Sequence, residues 1–201
     1  MKKDFWEYDS VVGKQDDKKA ILTITYVEFD FQFGILIKKN NPKDVVMKIR
    51  ELQNLLGERY WNIFKINLCD NGIEFDNFTD IEWNEKTGEV KSKVFYTRVY
   101  KSSDKGDCEN NHAFIRRILP KGSSFSELTQ EKVDLMMNHI NSYARPQFNG
   151  KTPYEMFVFF NGIELADSLR VLRNPPYVIF VTAYSEYAVD AAKMNDVIDE
   201  A

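Results

Sequence analysis

Three carboxylates stand where carboxylates could do chemistry. Asp9 lies in FWEYDSVVGK, within a strand expected just before a hairpin. Asp70 follows the apolar strand IFKINLC directly, in CDNGIEF. Glu109 opens a helix read over CENNHAFIRRI. A carboxylate at a strand end is poorly placed for core packing and well placed to meet others across the end of a sheet. Hard Mg2+ takes oxygen ligands from one or two carboxylates plus substrate phosphates. Two such ions, about 3.5–4 Å apart, clamp the attacking and leaving oxygens of an in-line phosphoryl transfer. Counted at about 100° per residue, His112 and Arg116 share a helix face with Glu109, and Phe114, Ile115 and Ile118 fall opposite. The helix is expected to bury those three apolar residues and to present the polar trio beside bound phosphate. A blander reading stands beside this one. Asp-Asn-Gly is a common turn, and a chain with 31 acidic residues supplies many possible triples.

The elements that must hold these residues can be read from patterning. AILTITYVEF (20–29) and FQFGILI (31–37) are rich in β-branched and aromatic residues and read as strands with a turn across Glu28–Asp30. Asn41-Pro42 is a helix start, with Val45, Val46, Ile49, Leu52, Leu55 and Leu56 at helical spacing and Gly57 as the stop. Residues 63–69 and 94–100 read as short strands, and the polar stretch 76–93 as a loop with little regular structure. A helix over 108–118 is broken by Pro120-Lys121-Gly122. Thr129 caps a further helix carrying Val133, Met136, Met137 and Ile140, and Phe157–Phe160 reads as core. Strand, strand, helix, strand in that order predicts an α/β layer fold.

Composition bounds the function. The chain has 201 residues, 43% hydrophobic and 29% charged, which is ordinary for a folded protein and excludes a disordered one. Runs such as VFF and VIFV are far shorter than a membrane span, and MKKDFWEYDS has no apolar signal segment. No membrane role is expected. Cys69 and Cys108 cannot make a disulfide framework, so a reduced, cytoplasmic setting is expected. Residues 1–150 hold 23 basic and 23 acidic residues, and 151–201 hold 4 and 8. Phosphate-binding charge must therefore be local rather than global. His112 and His139 have no paired cysteines, which argues against zinc. His112, Lys14 and Lys121 are candidate phosphate contacts.

The strings WEYDSVVGK, ILTITYVEFDFQF, CDNGIEF and KGDCENNHAFIRRILPKGSSFSELTQEKVDLMMNHINSYARPQFNGKTPYEMF occur in that order. Together they resemble the catalytic core of bacterial insertion-sequence transposases of the IS-thirty type, over roughly residues 5–158. That family belongs to the DDE transposase and integrase group. The resemblance implies a ribonuclease-H-like mixed sheet flanked by helices, and a polynucleotidyl transferase that cuts transposon ends and joins them to target DNA. Asp9 matches the acidic residue of WExDxVxGK, Asp70 that of DNGxEF and Glu109 that of KGxxEN. The resemblance makes these three the catalytic triad and the ligands of two Mg2+ or Mn2+ ions. Arg116, two helical turns after Glu109, matches a basic position of the group. With Lys14, His112 and Lys121 it is expected to contact DNA. The partners implied are terminal inverted repeats, target DNA and further copies of the chain assembled on DNA, with the protein nucleoid-associated when bound.

The chain departs from the family pattern in three places. It begins eight residues before Asp9, so the family's helix-turn-helix region is expected to be absent. VYKSSDKG replaces the usual stretch ahead of the glutamate. After KTPYEMF the pattern ends near Phe160. The domain division expected is a catalytic core at 1–160 and a short α/β tail at 161–201. NGIELADSLRVLRNPPYVIFVTAYSEYAVDAAKM in that tail resembles part of a response-regulator receiver domain of the LytTR-associated type, with Thr182 at its switch threonine. The acidic pair, phosphoacceptor and lysine of a receiver lie outside it. The alternative to an active core is a truncated, non-catalytic remnant that only binds partners or inhibits an intact transposase by co-assembly.

Overall fold

Alternating apolar side chains drive the first three strands. β1 (Trp6–Val12), β2 (Ala20–Tyr26) and β3 (Phe31–Ile37) form an antiparallel meander in the computed structural model, which describes residues 4–97 and 106–161, with side chains for 4–97 and 112–158. Helix α1 (Pro42–Leu56) starts as its sequence dictates. The Asn41 side chain accepts from the Asp44 amide at 2.9 Å, Pro42 occupies the first turn, and Gly57 ends the helix at φ 57°. A one-turn helix α2 (Glu58–Ile63) follows, then β4 (Ile66–Cys69) and β5 (Lys93–Tyr96). The sheet order is β3-β2-β1-β4-β5, with β4 parallel to β1 and to β5. Helices α3 (Gly106–Ile118), α4 (Gln130–Asn141) and α5 (Pro153–Asn161) complete the described chain. Five strands, parallel and antiparallel, flanked by helices are the mixed α/β sheet expected from the sequence.

The sheet is covered on both faces. One layer joins Trp6, Tyr8, Leu22 and Ile24 to Val45, Ile49 and Leu52 of α1, Tyr60 and Trp61 of α2, and Phe157 of α5. Phe157 stacks on Phe31 with ring centroids 4.2 Å apart, and Trp6 packs against Tyr26, Phe33 and Phe64. The other layer joins Val11 and Ile21 to Ile115 of α3, Phe125, and Val133, Met136, Met137 and Ile140 of α4. Gly34 lets α4 approach β3, because a Cβ there would meet Met137 Cε at 2.7 Å and Val133 Cγ1 at 2.8 Å.

β3 is an edge strand, yet α4 occupies its outer rim. The Asn141 amide donates to the Gln32 carbonyl at 2.7 Å and accepts from its N–H at 2.9 Å. Gln130 accepts from the Leu36 N–H at 2.7 Å and donates to the Gly34 carbonyl at 2.9 Å. Two side-chain amides thus stand in for a neighbouring strand, which blunts an edge otherwise open to pairing with another chain.

Three expectations need correction. Ile63 closes α2 rather than opening a strand, so the strand read over 63–69 is only Ile66–Cys69. It is preceded by a helical turn that buries Tyr60 and Trp61. The polar stretch 76–93 is not structureless. With the residues just before it, it holds 3-10 turns at Ile73–Phe75 and Phe78–Glu82, and buries Phe75, Phe78 and Ile81 at three-residue spacing. Arg50 and Gln53 of α1 tie it down through the carbonyls of Trp83, Asp80 and Ile81. The strand read over 94–100 is described only at 93–96. The tail read at 161–201 lies outside the described residues apart from Asn161.

Candidate active site

The parallel pairing of β1 with β4 sets Tyr8 opposite Cys69. Both are fully buried in the layer under α1. The next residue of each chain is Asp9 and Asp70. Side chains alternate across a strand, so Asp9 leaves β1 toward the opposite layer, the side of α3, and Asp70 leaves the end of β4 beside it. Asp9 is half-buried, with 21% of its side chain exposed. Its Oδ1 accepts from the Ser10 amide at 2.7 Å. Asp70 is also half-buried, and its Oδ1 accepts from the Gly72 amide at 2.9 Å, the turn that the DNG string predicts.

Helix α3 supplies the third side. The His112 ring lies over Asp9, Nδ1 to Oδ2 3.8 Å, and its Nε2 is 3.2 Å from Thr23 Oγ1 on β2. The Thr23 hydroxyl donates to the Asp9 carbonyl at 3.1 Å, so it can only accept from His112, which puts an N–H on Nε2. One turn later Arg116 donates to the Val12 carbonyl at 3.1 Å. Glu109 lies one turn before His112 on the same helix, and its side chain lies outside the described residues.

The buried face of α3 differs from the helical-wheel reading. Ile115 is fully buried as expected, but Ile118 is 49% exposed and Phe114 only half-buried. The face turned inward is Ile115 and Leu119 together with His112 and Arg116, about a third of a turn from the one chosen on apolar content alone. The polar residues are on the inner side because β1 offers them Asp9, Thr23 across the hairpin, and a free carbonyl at Val12. Phe114 is covered instead by Arg145, whose guanidinium stacks 3.9 Å from its ring centre. Burial pushes the Arg145 guanidinium down, against the pull of Asp30.

Lys14 and Lys121 are exposed on neighbouring loops, the Lys14 amide donating to the Ser123 carbonyl at 3.0 Å. Asp17 binds these loops together. It accepts from the Phe125 amide at 2.6 Å, the Ser124 hydroxyl at 3.0 Å and the Lys14 amide at 3.2 Å. The Phe125 amide above all holds its carboxyl below the ordinary range. His112, Arg116 and Lys121 therefore follow the direction of β1 from Asp9 to the hairpin tip. His139 is exposed on α4, and Cys69 is buried, its thiol donating to the Phe95 carbonyl at 3.7 Å.

Sequence reasoning passed over Glu74, Ser10 and Asn40. Glu74 Oε1 accepts from the Ser10 hydroxyl and from Asn40 Nδ2, the latter at 3.1 Å. The only signal was the acidic residue inside CDNGIEF, four positions after Asp70. Among the described residues no three His, Cys, Asp or Glu side chains form a ready metal cluster.

With this geometry in hand, the fold can be placed. The catalytic core domain of BIV integrase superposes with a TM-score of 0.54 at 17% identity, covering 79% of this chain and 96% of that one. A simian T-cell lymphotropic virus intasome solved with PP2A regulatory subunit B56 gamma matches at 0.57 and 12%, covering 92% of this chain and 61% of that one. The chain has the ribonuclease-H-like fold of integrase catalytic cores. In sequence it is similar to the transposase for insertion sequence element IS4351 of Bacteroides fragilis, 28% identical over 151 residues, 75% of this chain and 43% of that protein. It is also similar to transposase InsI for insertion sequence element IS30A of Escherichia coli K12, 26% identical over 162 residues, 81% of this chain and 39% of that protein. The chain thus spans less than half the length of these curated relatives. No family model matches it. The receiver-like resemblance of residues 163–201 has no support in these comparisons. No described helix is long and apolar enough to cross a membrane.

Proposed function

We propose that this chain is the catalytic core of an IS-thirty-type DNA transposase, cutting transposon ends and transferring the strands to target DNA. One observation carries the reading. Asp9 and Asp70 succeed a directly paired Tyr8 and Cys69 on adjacent parallel strands, so two carboxylates share one end of the sheet. Glu109 completes the triad from α3, the helix whose His112 already touches Asp9. Similarity to insertion-sequence transposases and the integrase-core fold support the same assignment.

The donor set suits a hard divalent cation. Its oxygens are carboxylate, and Gly72 leaves open the space beside Asp70. A Cβ there would stand 2.9 Å from Asp70 Oδ1 and 2.7 Å from Glu74 Oε2. Asp9, Asp70 and Glu109 would hold two Mg2+ or Mn2+ ions, which would supply Lewis-acid stabilisation of the charge developing in phosphoryl transfer. The remaining work falls to the chain. The Ser10 amide fixes one oxygen of Asp9 and leaves the other toward α3. The Gly72 amide fixes one oxygen of Asp70. His112, pinned by Thr23, closes one flank of Asp9 and narrows the approach of the phosphate. Lys14 and Lys121 offer ammonium groups to the DNA backbone where the loops meet, and Arg116 brings a guanidinium to the end of β1. DNA with terminal inverted repeats is the substrate class, and further copies of the chain assembled on DNA are the partners. The setting proposed is cytoplasmic, near the nucleoid.

The test is strand cleavage of labelled inverted-repeat DNA with Mg2+ or Mn2+. Wild type should nick at the transposon end, and Asp9→Asn, Asp70→Asn and Glu109→Gln should each lose about 100- to 1000-fold, the scale of a lost transition-state stabiliser. Cleavage retained in any one of the three would remove that residue from the triad.

A further inference from the structure

Asp9 is fixed from both faces of the sheet, and the second face has no part in the reading above. Ser10 points away from α3, toward the layer under α1. There its hydroxyl donates to Glu74 Oε1. Asn40, just ahead of α1, donates from Nδ2 to the same carboxylate oxygen at 3.1 Å and to Ser10 Oγ at 3.2 Å. These three side chains close a triangle that joins β1, the segment entering α1 and the turn after β4. The Ser10 backbone amide is the donor to Asp9 Oδ1 at 2.7 Å. Whatever fixes the Ser10 side chain therefore fixes the peptide that orients Asp9.

The geometry points to Glu74 as a positioning residue. Its Oε1 anchors Ser10 and, through the Ser10 amide, sets the orientation of Asp9 relative to Asp70. This rests on the reading of Asp9 and Asp70 as the metal-holding pair. Glu74 suits the task because its own segment begins at Asp70. The turn Asp70–Gly72 brings Asp70 Oδ1 and Glu74 Oε2 together beside Gly72, each within 3 Å of where a Cβ would stand. One short loop thus supplies both the second carboxylate and the group that aligns the first. The role calls for an acceptor at Oε1 and not for the negative charge, which separates it from a ligand role. Gln keeps that acceptor and Ala does not.

The experiment uses the full chain and Mn2+ alone, with the dissociation constant read by electron paramagnetic resonance and the Ser10 amide followed by NMR. Glu74→Ala should weaken Mn2+ binding about 10- to 100-fold, the usual effect of removing a group that orients a ligand, and should move the Ser10 amide proton upfield. Glu74→Gln should restore both. Ser10→Ala, which leaves the backbone donor in place, should weaken Mn2+ binding as Glu74→Ala does, and it serves if Glu74→Ala fails to fold. Affinity unchanged in both Glu74→Ala and Ser10→Ala would overturn the inference, as would Glu74→Gln binding as weakly as Glu74→Ala. Asp9→Asn separates the two readings. If it binds Mn2+ like wild type, the metal assignment of Asp9 fails. The Ser10 resonance in Glu74→Ala and Glu74→Gln then decides the positioning role by itself.

Discussion

Asp17 shows how much one half-buried side chain can organise. Its carboxylate receives three donors from two loops and so fixes the hairpin tip carrying Lys14 against the segment carrying Lys121. Its folded value is depressed below the ordinary 3.8. A group depressed in the folded state stabilises it at pH above the unfolded value, and that stabilisation fades as pH falls through the folded value. Asp17→Asn should therefore lower the thermal midpoint at pH 7, and the gap from wild type should close in melts taken progressively below pH 3.8. A gap that persists at the acid end would mean packing, not charge, is at work. Gly34 makes a different kind of contact. Gly34→Val must displace Met137 and Val133, so urea unfolding should show a loss of about 1–3 kcal/mol, typical of overpacking. Neither residue advertised its task. FQFGILI reads as a strand with or without α4 against it, and Asp17 sits in QDDKK, where nothing local names Phe125 as a partner.

Elements with local signals were legible and elements without them were not. Asn41, Pro42 and Gly57 bounded α1 correctly, and Thr129 bounded α4, because capping is settled within one turn of chain. α2 and the 3-10 turns before β5 were missed, since their stability comes from distant partners such as Arg50 and Gln53. The buried face of α3 was misjudged for a related reason. Apolar content was used to find the inner side, whereas the sheet end offers polar partners to His112 and Arg116. The edge of β3 belongs to this scale too. Asn141 and Gln130 give four hydrogen bonds to that strand. Asn141→Leu and Gln130→Leu should each cost about 1–3 kcal/mol in denaturant unfolding, as strand groups lose their partners beneath α4. The double variant should also scatter light at concentrations where wild type does not, because the freed rim can pair with another copy. A double variant as soluble as wild type would show that something else covers the edge.

Across the whole molecule, the mixed sheet order β3-β2-β1-β4-β5 matters more than any single contact. A parallel β4 laid beside β1 brings together residues 61 positions apart in the chain, and α3 then crosses the same end. The strings around Asp9 and Asp70 are local, while the adjacency of these two residues is a property of the topology. The site's second layer, Thr23, Ser10, Asn40 and Glu74, was illegible because each reaches across the pleat to a segment far away in sequence.

If Asp9, Asp70 and Glu109 together hold the two divalent cations, all three segments lie beside bound metal. Fe2+ with ascorbate and peroxide, substituted for Mg2+, cuts a polypeptide backbone close to where the ion is held. Mapping the fragments of the full chain tests the claim without DNA or knowledge of a target sequence. Cuts should cluster near residues 9, 70 and 109, be competed away by Mg2+ and be lost together in Asp70→Asn. Cuts confined to one of the three segments, or a pattern unchanged in Asp70→Asn, would contradict it.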